Sequence, residues 1–346
     1  MSVGFRAVQW NRAKLIYDAI IVVAAAVFIV VYAAIVLHRH PPKNLPETID
    51  IWLQATGLCA FLMLTIILCI GPLARLNQGF LPLLYNRRHF GVLTFLVAAG
   101  HFSLLLSWYI VQGNLGNLGA ELTKWSNYGM FLDFPFKAIG LGALFILFAM
   151  AATSHDYWLA FLSPRIWKTL HMALYLAYGL VVMHVALGSM QDDSTGALTT
   201  TLIVCFGAVV ALHLWAGWRE RKLDRGAAPG DDGWLTVGPP QSIPQQRALI
   251  VALPGGERIA VFRDGEQIGA LSNLCAHQNG PIGEGCIVDG LVTCPWHGYQ
   301  YRLKDGCAPP PFTEKLATYR VRLRAGVIEV DPKPLPPGTP AAMTLA

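Results

Sequence analysis

Six long stretches of the 346-residue chain are almost wholly apolar, near 16–37, 51–71, 90–111, 136–153, 168–188 and 197–217. A bilayer core of roughly 30 Å takes about 20 helical residues, so each stretch reads as a membrane-spanning helix, the fourth being the shortest. From about residue 240 the pattern changes. Short runs alternate apolar and polar positions at 247–253, 257–263, 266–272, 290–294, 299–303, 317–324 and 326–331. Glycine and Asp-Gly pairs such as Asp264-Gly265 separate them, as hairpins require. The expected fold is a membrane all-α six-helix bundle followed by a small all-β domain.

Four segments follow from this pattern: the helical domain at 1–218, a charged then Gly/Pro-rich linker at 219–245, the β domain at 246–332, and a Pro-rich, disordered tail at 333–346. Roughly 20 flexible linker residues would have a root-mean-square span near 25 Å, so the β domain is expected to swing on a tether. The first apolar stretch is too long for a cleavable signal and lacks a small-residue cleavage site, so it is expected to be retained. Leu115, Leu118, Leu122 and Trp125 are spaced like a short helix lying on the membrane surface.

Composition agrees: 54% of residues are hydrophobic, 14% are charged and the mean hydropathy is +0.45. The net charge of +5 is mostly a topology signal. One set of helix flanks holds Arg6, Arg12, Lys14, Arg75, Arg87, Arg88, Arg165, Lys168, Arg219, Arg221, Lys222 and Arg225; the other holds Arg39, Lys43, Lys124 and Lys137. The positive-inside rule then places both termini and the β domain in the cytoplasm of a multi-pass inner-membrane protein. The lipid bilayer is the partner this charge serves, and nucleic acid is not expected.

Seven cysteines are present. Cys59, Cys69 and Cys205 lie in apolar stretches and read as small buried hydrophobes. In the β domain, Cys275-Ala276-His277 and Cys294-Pro295-Trp296-His297 each supply one thiol and one imidazole. Two thiolates on one iron and two imidazoles on another suit a [2Fe–2S] cluster. Zinc accepts the same donors and is the alternative, although zinc fingers usually place the cysteines in one pair and the histidines in the other. Cys286 and Cys307 fall outside these positions and read as structural.

The segment CAHQNGPIGEGCIVDGLVTCPWHGYQY (275–301) resembles the two-loop motif of the Rieske family, over about 245–332. The resemblance implies one [2Fe–2S] cluster held by Cys275, His277, Cys294 and His297. High-potential members carry an extra cysteine in each loop and a serine beside the cluster; Gly280, Trp296 and Tyr299 stand at those positions here, while Tyr301 matches the family's tyrosine. Fewer hydrogen bonds to the sulfurs lower the potential, toward the low end of about −150 to +300 mV. The resemblance is thus to the ferredoxin type that serves oxygenases, for which direct oxidation of quinol is unfavourable.

Four histidines, His101, His171, His184 and His213, fall inside the apolar stretches. Ionisable groups there are costly and usually functional, and facing imidazoles are a common way to hold a b-type haem. His184 lies roughly 20 Å farther out than His171. His101 can therefore share a haem with His184 or, less simply, His171, and His213 matches His171 in depth. Up to two haems follow. Thirteen residues leave His171 and His184 pointing about 140° apart, so a strictly regular helix would not aim both at one neighbour, although Gly179 between them could accompany a local distortion. The segments RRHFGVLTFLVAAGHF (87–102) and WKTLHMALYLAYGLVVMHV (167–185) resemble the ferric reductase-like transmembrane family, over about 50–220. That resemblance implies haem ligation by His101, His171 and His184. Larger members carry a second histidine on the third span; Asn114 and Leu115 occupy those places here, and His89 is at the membrane edge. There is no convincing nucleotide-binding loop; Gly113–Gly119 opens no Rossmann unit.

The combined expectation is transmembrane electron transfer. The donor would be a cytoplasmic NAD(P)H-dependent reductase or ferredoxin. The acceptor would be an outer-side redox protein, a ferric species or a quinone. The alternative is a membrane-anchored Rieske ferredoxin delivering electrons to a soluble oxygenase, with the helices only as anchor. A redox sensor is the non-catalytic reading. A terminal oxygenase is disfavoured, because its mononuclear-iron domain would follow the Rieske domain.

Overall fold

The computed structural model describes residues 12–123, 135–154, 158, 164–190, 195–224, 230, 232–253, 257–277, 279–295 and 298–345. Among these lie eight α-helices: α1 (Arg12–Arg39), α2 (Leu45–Leu76), α3 (Leu81–Tyr85), α4 (Arg87–Val111), α5 (Leu115–Thr123), α6 (Phe136–Ala152), α7 (Pro164–Leu187) and α8 (Ala197–Asp224). Each apolar stretch has become a helix, and all but the fourth are extended by flanking residues. α1, α2, α4, α7 and α8 are long and apolar enough to cross a membrane; α6 is a shorter apolar helix of 17 residues. The surface helix expected from the leucine spacing is α5; Trp125 lies outside the described residues.

α2 is the axis of the helical part. Of its most apolar window 61% is buried, against 11–17% in the other long helices. Phe61, Leu64 and Leu68 of α2 pack with Leu147, Tyr178, Leu202 and Val209 in one buried cluster. The Phe61 and Tyr178 rings stack at 6.1 Å, and the Tyr178 hydroxyl lies 3.3 Å from that of Thr65. A buried hydroxyl needs such a partner where no water is available. α1 leaves Ile16, Ile20, Val23, Val27 and Val30 exposed, the surface a lipid-facing helix presents.

Among the described residues the β domain holds eleven short strands, β1 (Leu235–Gly238), β2 (Ala248–Ala252), β3 (Arg258–Asp264), β4 (Gln267–Ser272), β5 (Cys286–Val288), β6 (Leu291–Thr293), β7 (Gln300–Arg302), β8 (Thr318–Tyr319), β9 (Val321–Arg324), β10 (Val327–Val330) and β11 (Met343–Thr344). They form three antiparallel sheets, ordered β1-β10-β9, β11-β4-β3-β2 with β8 on β4, and β5-β6-β7. β3 (Arg258–Asp264) is central. Its side chains alternate between two cores: Ile259 and Val261 pack with Leu235, Ile268 and Ile328, while Ala260 and Phe262 pack with Leu271, Cys275 and Cys294. A strand buried on both faces is continuously apolar, which accounts for the run Ile259-Ala260-Val261-Phe262. The second core carries the two candidate thiols.

Three expectations need correction. The segment expected as a linker, 219–245, is built into elements at both of its ends. α8 continues to Asp224, and β1 (Leu235–Gly238) already pairs with β10 (Val327–Val330). Fully buried Leu235 anchors it, and Trp234 and Asp232 clasp Arg322: the ring lies 4.0 Å from the guanidinium, and the carboxylate pairs with it. The tail is not disordered. The amides of Leu335, Ala341 and Leu345 bond to the carbonyls of Thr318, Lys304 and Glu266, and β11 (Met343–Thr344) pairs with β4 (Gln267–Ser272). Proline removes its own donor, but the residues between prolines keep theirs. The expected strand at 317–324 is broken at Arg320 into β8 (Thr318–Tyr319) and β9 (Val321–Arg324), which enter different sheets.

The chain falls into two compact units. One holds α1 and the chain after it up to Ile70, with Arg87–Leu212; the other holds Gly71–Asn86 with His213–Ala346. In the second unit the β domain is tied to helix ends by ion pairs, Arg258 with Glu220, and Arg75 with Glu284 at 3.8 Å. Such exposed pairs are worth roughly 0–1 kcal/mol each, enough to bias a position and weak enough to be screened by salt.

Candidate redox sites

The first site sits among the helices. His101 on α4 donates from Nδ1 to the carbonyl of Leu53 on α2 at 2.9 Å. His184 on α7 does the same to the carbonyl of Phe136, at the start of α6, at 2.8 Å. A carbonyl only accepts, so Nδ1 carries the proton in each ring and the Nε2 lone pair is left for a metal. The two rings face each other, with centres 6.4 Å apart and planes crossed at 83°. Metal–nitrogen bonds of about 2.0–2.1 Å on opposite sides of one ion would separate ring centres by roughly 6 Å. The donors therefore fit one iron between them.

His171, on the same helix as His184, points elsewhere. Its Nδ1 bonds the carbonyl of Trp167 one turn back, at 3.0 Å, and its ring stacks on Trp167 at 3.8 Å. Its Nε2 is buried without a hydrogen-bond partner among the described residues. A buried imidazole nitrogen in that state suits metal ligation. The structure thus brings His101 to His184 and sets His171 apart, in the sense the 13-residue spacing implies. His213 lies on α8, at the start of the unit that contains the β domain. The sequence carried no sign of the Leu53 and Phe136 carbonyls, since every residue has one. Nor did it show the hydrogen bond between His89 Nδ1 and the Asp18 carboxylate at 2.7 Å.

The second site is built from two loops of one design. In the first, the Cys275 amide bonds the Gly280 carbonyl at 2.9 Å and the Cys275 carbonyl accepts from Asn279 at 2.7 Å. In the second, the Cys294 amide bonds the Tyr299 carbonyl at 2.8 Å and the Cys294 carbonyl accepts from Gly298 at 2.9 Å. Each cysteine opens a closed five-residue turn that holds a histidine inside it. Both thiols are about 1% exposed and share one core with Tyr299 and Tyr301. His297 and Trp296 lie outside the described residues, so three of the four candidate ligands are placed.

Two tyrosines furnish this site. The Tyr301 hydroxyl lies 3.3 Å from Sγ of Cys275 and donates to it when the sulfur is a thiolate. Burial, then the charge of Cys275, pushes the Tyr301 phenol up, so it remains a donor. Tyr299 stacks on His277, with ring centres 4.7 Å apart and planes 11° from parallel, and its hydroxyl donates to Glu314. At the position of the serine named above, the chain has a ring that stacks on His277. Tyr301→Phe should remove one hydrogen bond from a ligand sulfur and lower the midpoint potential, read in a redox titration followed by electron paramagnetic resonance (EPR); an unchanged potential would show that the hydroxyl does not tune the site.

Comparison with known proteins bears on both domains. The model of the Rieske [2Fe–2S] domain matches residues 233–320, and that of the ferric reductase like transmembrane component matches residues 56–182. The anthranilate 1,2-dioxygenase ferredoxin subunit of Burkholderia cepacia is 38% identical over 80 residues, 22% of this chain and 72% of its own.

The chain belongs to the Rieske [2Fe–2S] family, fused to a ferric reductase-like transmembrane domain.

The helical part of this Rieske fusion is similar to the protein-methionine-sulfoxide reductase heme-binding subunit MsrQ of Ralstonia nicotianae, 26% identical over 181 residues, 51% of this chain and 77% of that protein. The β domain is also similar to the 3-phenylpropionate/cinnamic acid dioxygenase ferredoxin subunit of Escherichia coli K12, 34% identical over 95 residues, 27% of this chain and 88% of its relative. The Rieske match starts at 233, ahead of the expected boundary at 246, and takes in β1. A Rieske domain implies a [2Fe–2S] cluster, and a ferric reductase-like domain on membrane-spanning helices implies membrane electron transfer.

Proposed function

We propose that the chain carries electrons from a cytoplasmic donor, through the Rieske site and a b-type haem, to an acceptor on the outer side or in the quinone pool. The observation that carries this reading is the His101–His184 pair, facing at 6.4 Å with both Nδ1 protons committed to backbone carbonyls. In it, Cys275, His277, Cys294 and His297 hold one [2Fe–2S] cluster, and His101 and His184 hold one b-type haem; both groups are one-electron carriers when bound. His171 is the ligand available to a second haem, with His213 its partner by depth. Arg87 and Arg88 lie within electrostatic reach of His171, cationic company that suits haem carboxylates. α6 completes a six-span bundle: 17 residues give about 25 Å, short of the core but within reach of local thinning. The positive flanks support a cytoplasmic side for the Rieske domain. The donor class is an NAD(P)H-dependent reductase or ferredoxin. The acceptor class is a redox protein, a ferric species or a quinone.

The test uses proteoliposomes with the Rieske side outward. A low-potential reductant added outside should reduce a membrane-impermeant ferric chelate trapped inside, at a rate that collapses in His101→Ala and His184→Ala. The ferredoxin subunits among the relatives favour a second reading, an anchored ferredoxin for a soluble oxygenase. Under it, the same two variants would deliver electrons to an oxygenase as well as the natural chain does.

A further inference from the structure

The two facing histidines are seated in the same way. The carbonyl that receives His101 belongs to Leu53, and one turn later stands Gly57. The carbonyl that receives His184 belongs to Phe136, and one turn later stands Gly140. In a helix the carbonyl of residue i already accepts the amide of residue i+4, here the glycine itself. Its second lone pair is open to a side chain from another helix only if nothing projects from that position. A Cβ on Gly57 would lie 2.9 Å from Nδ1 and Cε1 of His101, and one on Gly140 would lie 2.7 Å from Nδ1 of His184. Both are closer than real Cβ contacts come, and a ring pinned by its own hydrogen bond has little room to yield. Gly100, beside His101, and Gly179, between His171 and His184, have open space at that position.

We propose that Leu53 with Gly57, and Phe136 with Gly140, are paired seats that position the two imidazoles. Each seat fixes the tautomer through the carbonyl and the ring plane through the glycine gap. Together they hold the planes crossed at 83°. The seats deepen the haem reading and rest on it. Their consequence is spectroscopic: crossed axial imidazoles leave the two upper π-type iron orbitals nearly degenerate, so the ferric low-spin signal is strongly anisotropic, whereas parallel rings give a rhombic one.

The experiment is EPR of the ferric, detergent-purified full chain, with the haem-to-protein ratio measured beside it. The natural chain should give the strongly anisotropic signal. Gly57→Ala and Gly140→Ala should each turn it toward a rhombic signal or weaken haem binding about 10–100-fold. Gly100→Ala and Gly179→Ala should leave signal and ratio unchanged. Should either seat variant fail to fold, the natural chain still decides, since a purely rhombic signal from it overturns the crossed seats. Natural signal and full haem in both seat variants would overturn the proposal as well, while leaving electron transfer standing. A natural chain that binds no haem overturns the functional reading itself, and the seats with it.

Discussion

Alanine at His101 or His184 removes the b-type haem spectrum of the reduced protein, with the haem-to-protein ratio falling by about one per chain. Each ring is a direct ligand candidate, and neither has a substitute in place. His171 is held to its own helix by the Trp167 carbonyl and the Trp167 ring, so it cannot swing in to replace its helix-mate. The loss is therefore all-or-none at this site. The helices themselves should survive, because their packing rests on Phe61, Leu64, Tyr178 and their neighbours and not on the imidazoles. Absorbance of the reduced protein with a haem assay checks this. A full haem complement in both variants would show that the facing pair is a helix–helix contact and nothing more. His171→Ala gives the complementary result: where a second haem is held there, one equivalent is lost and the signal of the crossed pair remains.

Serine at Cys275 or Cys294 abolishes the cluster, and iron and acid-labile sulfide fall to background. Both thiols are buried in the core that also holds Tyr299 and Tyr301, so a lost ligand cannot be replaced by water from outside. The closing hydrogen bonds of each turn are backbone to backbone, which lets the loops keep their shape. Cys286→Ser and Cys307→Ser are the controls. Cys286 begins β5 (Cys286–Val288), and the Cys307 thiol lies 3.9 Å from the Asp305 carbonyl, so neither belongs to a ligand turn. Retention of the cluster in Cys275→Ser, or its loss in Cys307→Ser, would overturn the assignment.

The helices were legible because membrane-spanning segments must satisfy their own backbone and stay apolar for their whole length. The central strands were legible as short runs bounded by glycine and Asp-Gly, whereas the burial of both faces at Ile259 to Phe262 shows only in the fold. β1 and β11 were not, since four and two residues carry no periodicity, and glycine and proline around them read as loop. What holds them is tertiary: buried Leu235, the clasp of Arg322, and the amides of the tail. The candidate ligand set was readable as residue types at fixed spacing. Its mutual geometry was only half readable. Helical periodicity separated His171 from His184, yet nothing in the letters pointed to Leu53 and Phe136 as acceptors. Gly57 and Gly140 looked like any glycines in a membrane helix, where small residues commonly allow close packing. Their meaning appears only once a histidine from another helix is seen resting on them.

Coupling between the two redox sites is the centre of this account, and one kinetic experiment addresses it. The purified chain is mixed anaerobically with a stoichiometric low-potential reductant, and the cluster is followed by freeze-quench EPR while the haem is followed by its visible α-band. The account predicts that the reduced-cluster signal appears first and decays as the α-band grows, and that Cys275→Ser slows growth of the band. A cluster that stays reduced beside a ferric haem, or a haem reduced equally fast without the cluster, would contradict it.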